Sequence, residues 1–547
     1  MGHANTVSIG KYLADRLQQV GLKHIFGVPG DYVLGFFKYL EESPIQVVCT
    51  CNELNAGYAA DAYARLNGVG AACVTYGVGG LSIFNAAAGA YAERVPLIVI
   101  SGGPGLAQRP GHMLLHHTIG DMKVQLRAYE QITAASIILT SPEKAPEQID
   151  ETISTCLRSR RPVYIEIPVD MVDKPCRKGG PIQVDKKIPS DREALAEAIA
   201  ETAAMLGRAK KPVVIAGIET HRLGLQMELE QIIDLTGYPF VTTLLSKSVI
   251  QEQHPQFAGL YCGKLGRPDV CRFVEDADAI LCLGVLMTDL DLGGHTSGLD
   301  ASKMIVANAD SVGIRHHVYQ EVSLSDFLEG LQASLAGERL GAGKVHRPAK
   351  PKLNESVTPT RDRKITCQYF YERVNHFLRK NDIVLADAGD SLFNAANMVL
   401  PEGATFIGQA FYVSIGYSVP ATMGIKMAVP DRRTLTFVGD GAFQMTVQEV
   451  STLIRNRLDP IIFVMNNDGY TIERMLHDGA FNDLQMWKYH RLPDVFGGGH
   501  GYEVRTEGDL EDALRKIETD PDALTLIEVH LDRLDCSQSL KNLKKNF

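Results

Sequence analysis

Two short polar segments hold the residues of this sequence whose types and spacing could do chemistry. Gly-Asp-Gly occupies 439–441, Asn-Asn-Asp-Gly occupies 466–469, and each follows an apolar run that is typical of a buried parallel strand. Ligands collect at the carboxyl ends of such strands. Asp440, Asn467 and Gly469 offer a carboxylate, an amide oxygen and a backbone carbonyl, which suit Mg²⁺ or Ca²⁺. Because Mg²⁺ often shares its ligand shell with phosphate, and glycine lets the backbone approach a phosphate closely, the pattern predicts a metal and phosphate site.

The elements that must position these segments form one strand–helix–strand motif. The apolar runs at 434–438 and 460–465 predict two strands, and the pattern from 444 to 457 predicts a helix between them. Strand and helix patterns alternate along most of the chain, which predicts an α/β fold with doubly wound parallel sheets. Polar stretches at 173–192 and 336–364 interrupt the alternation and are interpreted as linkers.

The spacing of the two polar segments is more specific than either segment alone. Gly-Asp-Gly by itself is common in ordinary turns between a strand and a helix. Followed by residues 442–465 and then Asn-Asn, it resembles the thiamine-diphosphate motif of the thiamine-diphosphate-dependent 2-oxo acid decarboxylase family. The resemblance implies thiamine diphosphate and Mg²⁺ as cofactors, with Asp440, Asn467 and Gly469 as the metal ligands.

Other segments extend this resemblance over nearly the whole length. The segments 25–31, 52–56 and 75–80 look like the family's pyrimidine-binding domain. The histidine pair at 116–117 and the segment 467–473 resemble the branch that contains pyruvate, indolepyruvate and branched-chain 2-keto acid decarboxylases. The resemblance therefore implies non-oxidative decarboxylation of a 2-oxo acid to an aldehyde and CO₂ through the cofactor's ylid.

The same resemblance assigns three domains to the chain. We expect an N-terminal pyrimidine-binding domain at 1–180, a structural or regulatory middle domain at 190–340, and a C-terminal diphosphate- and Mg²⁺-binding domain at 360–547. It also implies that the two cofactor-binding domains of one site come from different subunits. The expected assembly is therefore a homodimer at least, with a homotetramer built as a dimer of dimers.

Acidic and histidine side chains are the catalytic candidates. Glu53 would hydrogen-bond N1′ of the cofactor's aminopyrimidine, although a glutamate in the first turn of a helix also interacts favourably with the helix dipole, by about 0.3–1 kcal/mol. Protonation and release of the product need groups that titrate near neutrality, which is typical work for histidine and for shifted carboxylates. The resemblance assigns this role to Asp31, His116, His117 and Glu473. The alternatives are a turn residue for Asp31, a solvated loop for the histidines and a helix-start carboxylate for Glu473.

Further positions are expected to contact the cofactor. Ile415 would wedge beneath it and bend its two rings together, although the sequence alone would place this side chain in the core. Ala442 stands where relatives often carry serine, which could remove one hydroxyl contact to the diphosphate. The other expected contacts are Ala388, Gly389, Asp390, Val413, Gly439, Gly441, Tyr470, Thr471 and Ile472.

The substrate side of the cofactor is the remaining prediction from the resemblance. The matching positions are Leu290, Leu392, Ile472, Leu543 and Phe547. Because pyruvate-specialised members carry bulky aromatic residues at several of these places, the leucines predict a wider apolar pocket and a preference for branched-chain, longer or aromatic 2-oxo acids. The alternatives are a pyruvate decarboxylase whose leucines are packed core, a carboligase that resembles acetohydroxyacid synthase, and a non-catalytic binding protein on the same fold.

The composition agrees with a large cytoplasmic enzyme. A chain of 547 residues suggests about three to four domains. The 55 basic and 65 acidic residues give a net charge of −10, which provides no electrostatic reason to expect nucleic acid or an anionic membrane as a partner. We see no long apolar run and no signal peptide in the sequence, and the expected partner is a small 2-oxo acid substrate.

Overall fold

The chain folds into two compact units in a computed structural model that describes residues 6–109, 114–184, 189–336, 347–353 and 356–546. The first unit contains residues 1–186 together with 419–431 and 446–458, and the second contains the rest of the chain. None of the helices within the described ranges has the length and apolar character that a membrane crossing requires.

The N-terminal part carries the sheet of the first unit. Its strands are β1 (Thr6–Ser8), β2 (His24–Gly27), β3 (Gln46–Cys49), β4 (Gly70–Val74), β5 (Leu97–Gly103), β6 (Ala135–Ile138), β7 (Val163–Pro168) and β8 (Pro175–Arg177), and its helices are α1 (Ile9–Gln19), α2 (Leu34–Glu41), α3 (Glu53–Asn67), α4 (Val78–Ser82), α5 (Phe84–Ala92), α6 (Val124–Tyr129) and α7 (Ala145–Ser159). Six strands form a parallel sheet in the order β3-β2-β4-β5-β7-β6, and β1 pairs with β8. Strands β4, β5 and β7 are buried along their whole length, as expected for parallel strands covered on both faces.

The middle part carries the first sheet of the second unit. Its strands are β9 (Pro212–Ala216), β10 (Phe240–Thr242), β11 (Phe257–Leu260), β12 (Ala279–Leu283), β13 (Met304–Ala307), β14 (Ser311–Ile314) and β15 (His317–Gln320), and its helices are α8 (Arg192–Leu206), α9 (Ile218–Leu223), α10 (Gln226–Thr236), α11 (Pro268–Glu275) and α12 (Leu324–Leu335). The strand order is β11-β10-β9-β12-β13-β14-β15, and the last two strands run antiparallel to their neighbours. Only Arg315 and His316 separate β14 from β15, and a two-residue connection allows an antiparallel hairpin but no parallel crossover.

The C-terminal part carries the second sheet of this unit. Its strands are β16 (Ile383–Ala386), β17 (Thr405–Gly408), β18 (Thr434–Gly439), β19 (Ile461–Asn466), β20 (His500–Val504) and β21 (Thr525–His530), and its helices are α13 (Cys367–Asn375), α14 (Asp390–Ala396), α15 (Ser418–Ala428), α16 (Asp440–Thr446), α17 (Glu449–Arg455), α18 (Thr471–Leu476), α19 (Leu492–Phe496), α20 (Glu507–Thr519) and α21 (Gln538–Asn546). The sheet is parallel throughout, in the order β17-β16-β18-β19-β21-β20. The predicted α/β class with three sheets is confirmed, with a mixed middle sheet.

Aromatic packing fixes the two strands whose ends carry the polar segments. The rings of Phe437 on β18 and Phe463 on β19 are stacked with centroids 5.2 Å apart, and Phe370 of α13 meets both of them edge-on. Such pairs contribute about 0.5–1.5 kcal/mol beyond the burial of their area. The core therefore holds the ends of β18 and β19 side by side.

The helix predicted at 444–457 is two helices. Helix α16 ends at Thr446 and α17 begins at Glu449. The break lies where the chain passes from the 432–445 segment of the second compact unit into the 446–458 segment of the first. The apolar pattern continues through this break because both helices have buried apolar residues. Those of α16 are buried in the second unit, and those of α17 are buried in the first.

Candidate active site

The expected site residues fall into two groups, one in each compact unit. In the second unit a cavity of about 290 Å³ lies at the carboxyl ends of the strands of the parallel sheet. It is lined by every residue of that unit that the sequence predicted to contact cofactor, metal or substrate, except Phe547, which lies outside the described residues. The cavity also receives side chains that were not predicted, namely Cys367, Tyr371, Ser391, Phe393, Asn394, Met465 and Leu531.

Asp440 is a buried carboxylate that forms no ion pair with any residue in the described ranges. It is the first residue of α16, its side chain is 1% exposed, and it lines the cavity. One carboxylate oxygen accepts the N–H of Gly441 at 2.7 Å, and the other accepts those of Asn467 at 3.2 Å and Gly469 at 3.0 Å. Burial raises the pKa of Asp440 to about 7, against the lowering effect of these hydrogen bonds. Among the described residues no ion pair to Asp440 is present, and the charge of Arg474 is the smallest of the effects that lower its pKa. A bound cation would therefore add charge compensation that the protein supplies only in part.

The turn after β19 is shaped so that its backbone faces Asp440. Asp468 and Gly469 both have positive φ, at 62° and 130°, and a Cβ at Gly469 would lie 2.1 Å from the carbonyl oxygen of Asn482. The buried guanidinium of Arg474 donates hydrogen bonds to the carbonyl oxygens of Asn467 and Asp468. This geometry explains why glycine stands at 469, and it holds the backbone N–H groups of Asn467 and Gly469 beside the carboxylate of Asp440.

Two glycines leave open space next to these oxygen ligands. No heavy atom lies within 4 Å of the place that a Cβ would take at Gly389 or at Gly439, and both residues line the cavity. Gly441 is different, because a Cβ there would lie 2.4 Å from the ring of Tyr470. The open space and the oxygen donors fit a group that carries phosphates and a hard divalent cation.

The loop between β17 and α15 brings Val413 and Ile415 to the cavity wall. Val413 has φ 49°, which is the left-handed region that a β-branched residue rarely adopts. Such a conformation costs about 1–3 kcal/mol and persists only where the surrounding structure enforces it. The conformation of this segment is therefore held by its contacts rather than by local preference.

The predicted substrate residues form an apolar part of the wall. Leu290, Leu392, Ile472 and Leu543 all line the cavity, and Leu531 adds a further leucine. Leu392 and Leu543 are also members of the hydrophobic core, with 1% and 7% exposure, so they pack in the core and line the cavity at the same time. Glu473 lines the same cavity and is exposed.

In the first unit Glu53 stands at the start of α3. The helix begins after Asn52, whose side chain accepts the N–H of Asn55 at 2.9 Å, and Glu53 is half-buried. A Cβ at Gly79 would lie 3.4 Å from Oε1 of Glu53, so the 75–80 segment passes directly beside this carboxylate. The structure thus brings two of the predicted N-terminal segments together.

Asp31, His116 and His117 form a second cluster in this unit. Nε2 of His116 lies 2.5 Å from Oδ2 of Asp31, and Nε2 of His117 lies 3.8 Å from Oδ1. The ring of Tyr32 stacks on His116 with centroids 4.7 Å apart. Burial would by itself raise the pKa of Asp31, but the hydrogen bond from His116 and the nearby histidine charges outweigh it and lower the pKa. Three of the four predicted proton-transfer residues therefore lie together, whereas Glu473 lies in the second unit.

His117 is held against a glycine of the 75–80 segment. Gly77 has φ 67°, and a Cβ there would lie 1.9 Å from the carbonyl oxygen of His117. The N–H of Gly77 is donated to Oε1 of Gln125 at 2.8 Å. Sequence reasoning placed the segment and the histidine in one domain, but it could not show that they touch.

Three family models match the chain. The N-terminal thiamine pyrophosphate-binding domain of thiamine pyrophosphate enzymes matches residues 7–125, the central domain of these enzymes matches 199–332, and their C-terminal thiamine pyrophosphate-binding domain matches 387–529. Glu53 and the histidine pair lie within the range of the N-terminal model, and Asp440 and Asn467 lie within that of the C-terminal model.

Relatives of known name are similar over almost the full length. Pyruvate decarboxylase 1 of Arabidopsis thaliana is 36% identical, over 97% of this chain and 90% of its own length. An alpha-keto-acid decarboxylase of Mycolicibacterium paratuberculosis is 36% identical, over 98% and 96%. Pyruvate decarboxylase isozyme 1 of Saccharomyces cerevisiae is 35% identical, over 98% and 97%.

Proposed function

The chain belongs to the thiamine pyrophosphate enzyme family, and from this premise we propose that it decarboxylates a 2-oxo acid non-oxidatively to an aldehyde and CO₂. Both named activities among the relatives above, pyruvate and alpha-keto-acid decarboxylase, belong to this reaction class. The observation that carries the proposal is the cavity at the strand ends, where the buried Asp440 meets an apolar wall. Such a site can hold a charged cofactor at one end and an apolar substrate side chain at the other.

The residues would divide the work as follows. Asp440, Asn467 and Gly469 hold Mg²⁺, and the open space at Gly389 and Gly439 takes the diphosphate. Bound thiamine diphosphate supplies the electron sink for the decarboxylation. Glu53 holds a proton at N1′ of its aminopyrimidine ring.

Proton transfer to the product belongs to a separate set of side chains. Asp31, His116, His117 and Glu473 give and take protons while the aldehyde is formed and released. We further propose that the protein is cytoplasmic and works as a homodimer or a dimer of dimers, because the resemblance implies that the two cofactor-binding domains of each site come from different subunits.

The direct experiment measures CO₂ release from a panel of 2-oxo acids. The protein is supplied with thiamine diphosphate and Mg²⁺, and kcat/KM is compared for 4-methyl-2-oxopentanoate, phenylpyruvate and pyruvate. We propose that the larger acids are preferred, because leucines line the cavity. Pyruvate is the second candidate, favoured by the names of two of the relatives. No CO₂ from any acid would reject the decarboxylase assignment.

Leu392→Trp is expected to shift the preference towards pyruvate. Leu392 lines the cavity and is 1% exposed, so a larger ring there takes space from the substrate. Each methylene that the pocket no longer accepts is worth about 0.8 kcal/mol, or roughly fourfold in kcat/KM. Leu392→Ala is the opposite control and should favour the longer acids. If neither variant changes the ratio of kcat/KM values, Leu392 is a core residue without influence on specificity.

Gly77→Ala is expected to lower kcat by about 100-fold, because the new Cβ must push the backbone of His117 away and a displacement of about 1 Å has this effect. Gly68→Ala is the matched control, since Gly68 also has positive φ, at 90°, but nothing lies within 4 Å of its Cβ position. Gly68→Ala should lose about 1–2 kcal/mol of stability from backbone strain. Gly77→Ala should lose more, because the clash with the carbonyl oxygen of His117 adds to the same strain. Equal losses of kcat in the two variants would show that strain alone is responsible.

A further inference from the structure

A fully buried carboxylate ties the loop between β17 and α15 to the central sheet. Asp387 follows β16 directly and is 0% exposed. Its own N–H is donated to the carbonyl oxygen of Phe437 on β18 at 2.9 Å. Its Oδ1 accepts the N–H of Gly416 at 3.0 Å, and its Oδ2 accepts the N–H of Ser418 at 2.8 Å. Each oxygen of the side chain thus accepts one backbone N–H, from Gly416 in the loop and from Ser418 at the start of α15.

The residues held in this way are next to the cavity. Ile415 lies between a residue anchored by Gln409 and one anchored by Asp387, because the N–H of Ser414 is donated to Oε1 of Gln409 at 2.9 Å. Val413 precedes them with its strained φ of 49°. A strained residue stays in place only when its neighbours are fixed. Asp387 accepts hydrogen bonds from two of these neighbours, Gly416 and Ser418.

We propose that Asp387 is a positioning residue, which sets the place of Val413 and Ile415 at the cofactor side of the cavity through the N–H groups of Gly416 and Ser418. The proposal rests on the proposed function, since it concerns the wall of the cofactor cavity. The backbone N–H of the same residue is hydrogen-bonded to β18, the strand that leads to Asp440. The side chain of Asp387 therefore holds the loop from a backbone position that the sheet fixes.

The same strand supplies a matched control at its other end. Asp382 directly precedes β16 and is 2% exposed. It accepts the N–H of Arg379 at 2.8 Å and pairs with the guanidinium of Arg433 at 2.6 Å. Removing the Asp382 side chain should lower the stability of the fold at least as much as removing that of Asp387. It should leave the hydrogen bonds of the loop at 409–418 unchanged.

The experiment compares Asp387→Ala, Asp387→Asn and Asp382→Ala in three measurements. The first is amide hydrogen exchange of the segment 409–418 in the cofactor-free protein. The second is the near-UV circular dichroism of added thiamine diphosphate with Mg²⁺, which depends on how its rings are held. The third is kcat for the best 2-oxo acid, together with the unfolding temperature.

Asp387→Ala should speed exchange in 409–418 by about tenfold, change the dichroism of the bound cofactor and lower kcat by about 100-fold. Asp387→Asn keeps one acceptor oxygen and should lie between the wild type and Asp387→Ala in all three measurements. If Asp387→Ala does not fold, faster exchange in Asp387→Asn supports the proposal, and wild-type exchange overturns it. Asp382→Ala should lower the unfolding temperature and leave exchange in 409–418 unchanged.

Two results would overturn the positioning role. The first is that amide exchange in 409–418 and the dichroism of the bound cofactor are the same in Asp387→Ala as in the wild type. The second is that Asp382→Ala loses as much kcat per folded molecule as Asp387→Ala does. The failure of the proposed function looks different. In that case the wild type releases no CO₂, while the exchange measurement still reports on Asp387.

Discussion

Glu53→Gln is expected to keep the fold and much of the affinity for thiamine diphosphate while lowering the rate of CO₂ release by about 10²–10⁴-fold. Glutamine has nearly the same size, so the contact with Gly79 and the start of α3 after Asn52 can remain. What the substitution removes is the carboxylate that, in the proposed function, would share a proton with N1′ of the aminopyrimidine. The loss should therefore appear in the rate and much less in binding.

The decisive measurement is the exchange of the C2 proton of bound thiamine diphosphate, followed by NMR alongside kcat. The exchange should slow by a factor similar to that of kcat. Glu147→Gln is the matched control, because Glu147 is an exposed glutamate in the first turn of α7 and tests the helix dipole alone. Exchange at wild-type speed in Glu53→Gln would remove Glu53 from its assigned role.

Asp440→Ala is expected to abolish the Mg²⁺-dependent binding of thiamine diphosphate. The substitution deletes the anionic oxygen of the site, and a lost metal ligand should weaken binding by more than about 100-fold. Asp440→Asn keeps the shape and removes the charge, so it should fail as well. The matched control is Asp468→Asn, which removes an exposed carboxylate from the same turn and should bind normally. Normal cofactor affinity in Asp440→Ala would place the metal elsewhere.

The pH dependence of this site has opposite signs with and without the metal. Burial raises the pKa of Asp440 from 3.8 to about 7, so in the cofactor-free protein its stabilising contribution is full below the unfolded value and is lost as the pH rises through about 7. Binding of a cation requires the carboxylate and releases the proton, so affinity should fall as the pH drops below about 7. Thermal unfolding with and without Mg²⁺ and thiamine diphosphate, between pH 5.5 and 8, measures both effects.

Strand ends were the part of the site that the sequence could predict. Buried parallel strands read as continuous apolar runs, and the polar residues that follow them must lie at one edge of the sheet. This logic located Asp440 and Asn467, and the resemblance added Glu53 and the histidine pair. The family is confirmed by the three matching models, whereas the roles of the individual residues and the domain bounds at 180, 190, 340 and 360 stay predictions.

The residues that sequence reasoning missed are set by contacts between distant parts of the chain. Cys367 and Tyr371 reach the cavity from α13, which carries no motif. Leu531 had a usable signal, since it follows β21 in the same parallel sheet. The strain at Val413 had none, because valine in the left-handed region contradicts local preference. The hydrogen bonds to Gln409 and Asp387 that hold its neighbours Ser414 and Gly416 join residues with no sequence motif.

The assignment of α15 and α17 to the first compact unit has a consequence for how the protein can be made. The buried Glu449 of α17 accepts the N–H of Cys51 and the amide of Asn55, both at 2.8 Å, across nearly 400 residues of chain. The ribosome must therefore synthesise most of the polypeptide before the first unit can fold completely. Until then, the surface around Cys51 and Asn55 that α17 covers stays exposed in the partial chain. A fragment that stops near residue 180 lacks the acceptor for these groups around the start of α3. Expression of the isolated pyrimidine-binding segment should accordingly give aggregated material, and a chaperone that holds nascent chains should raise the yield of the intact protein.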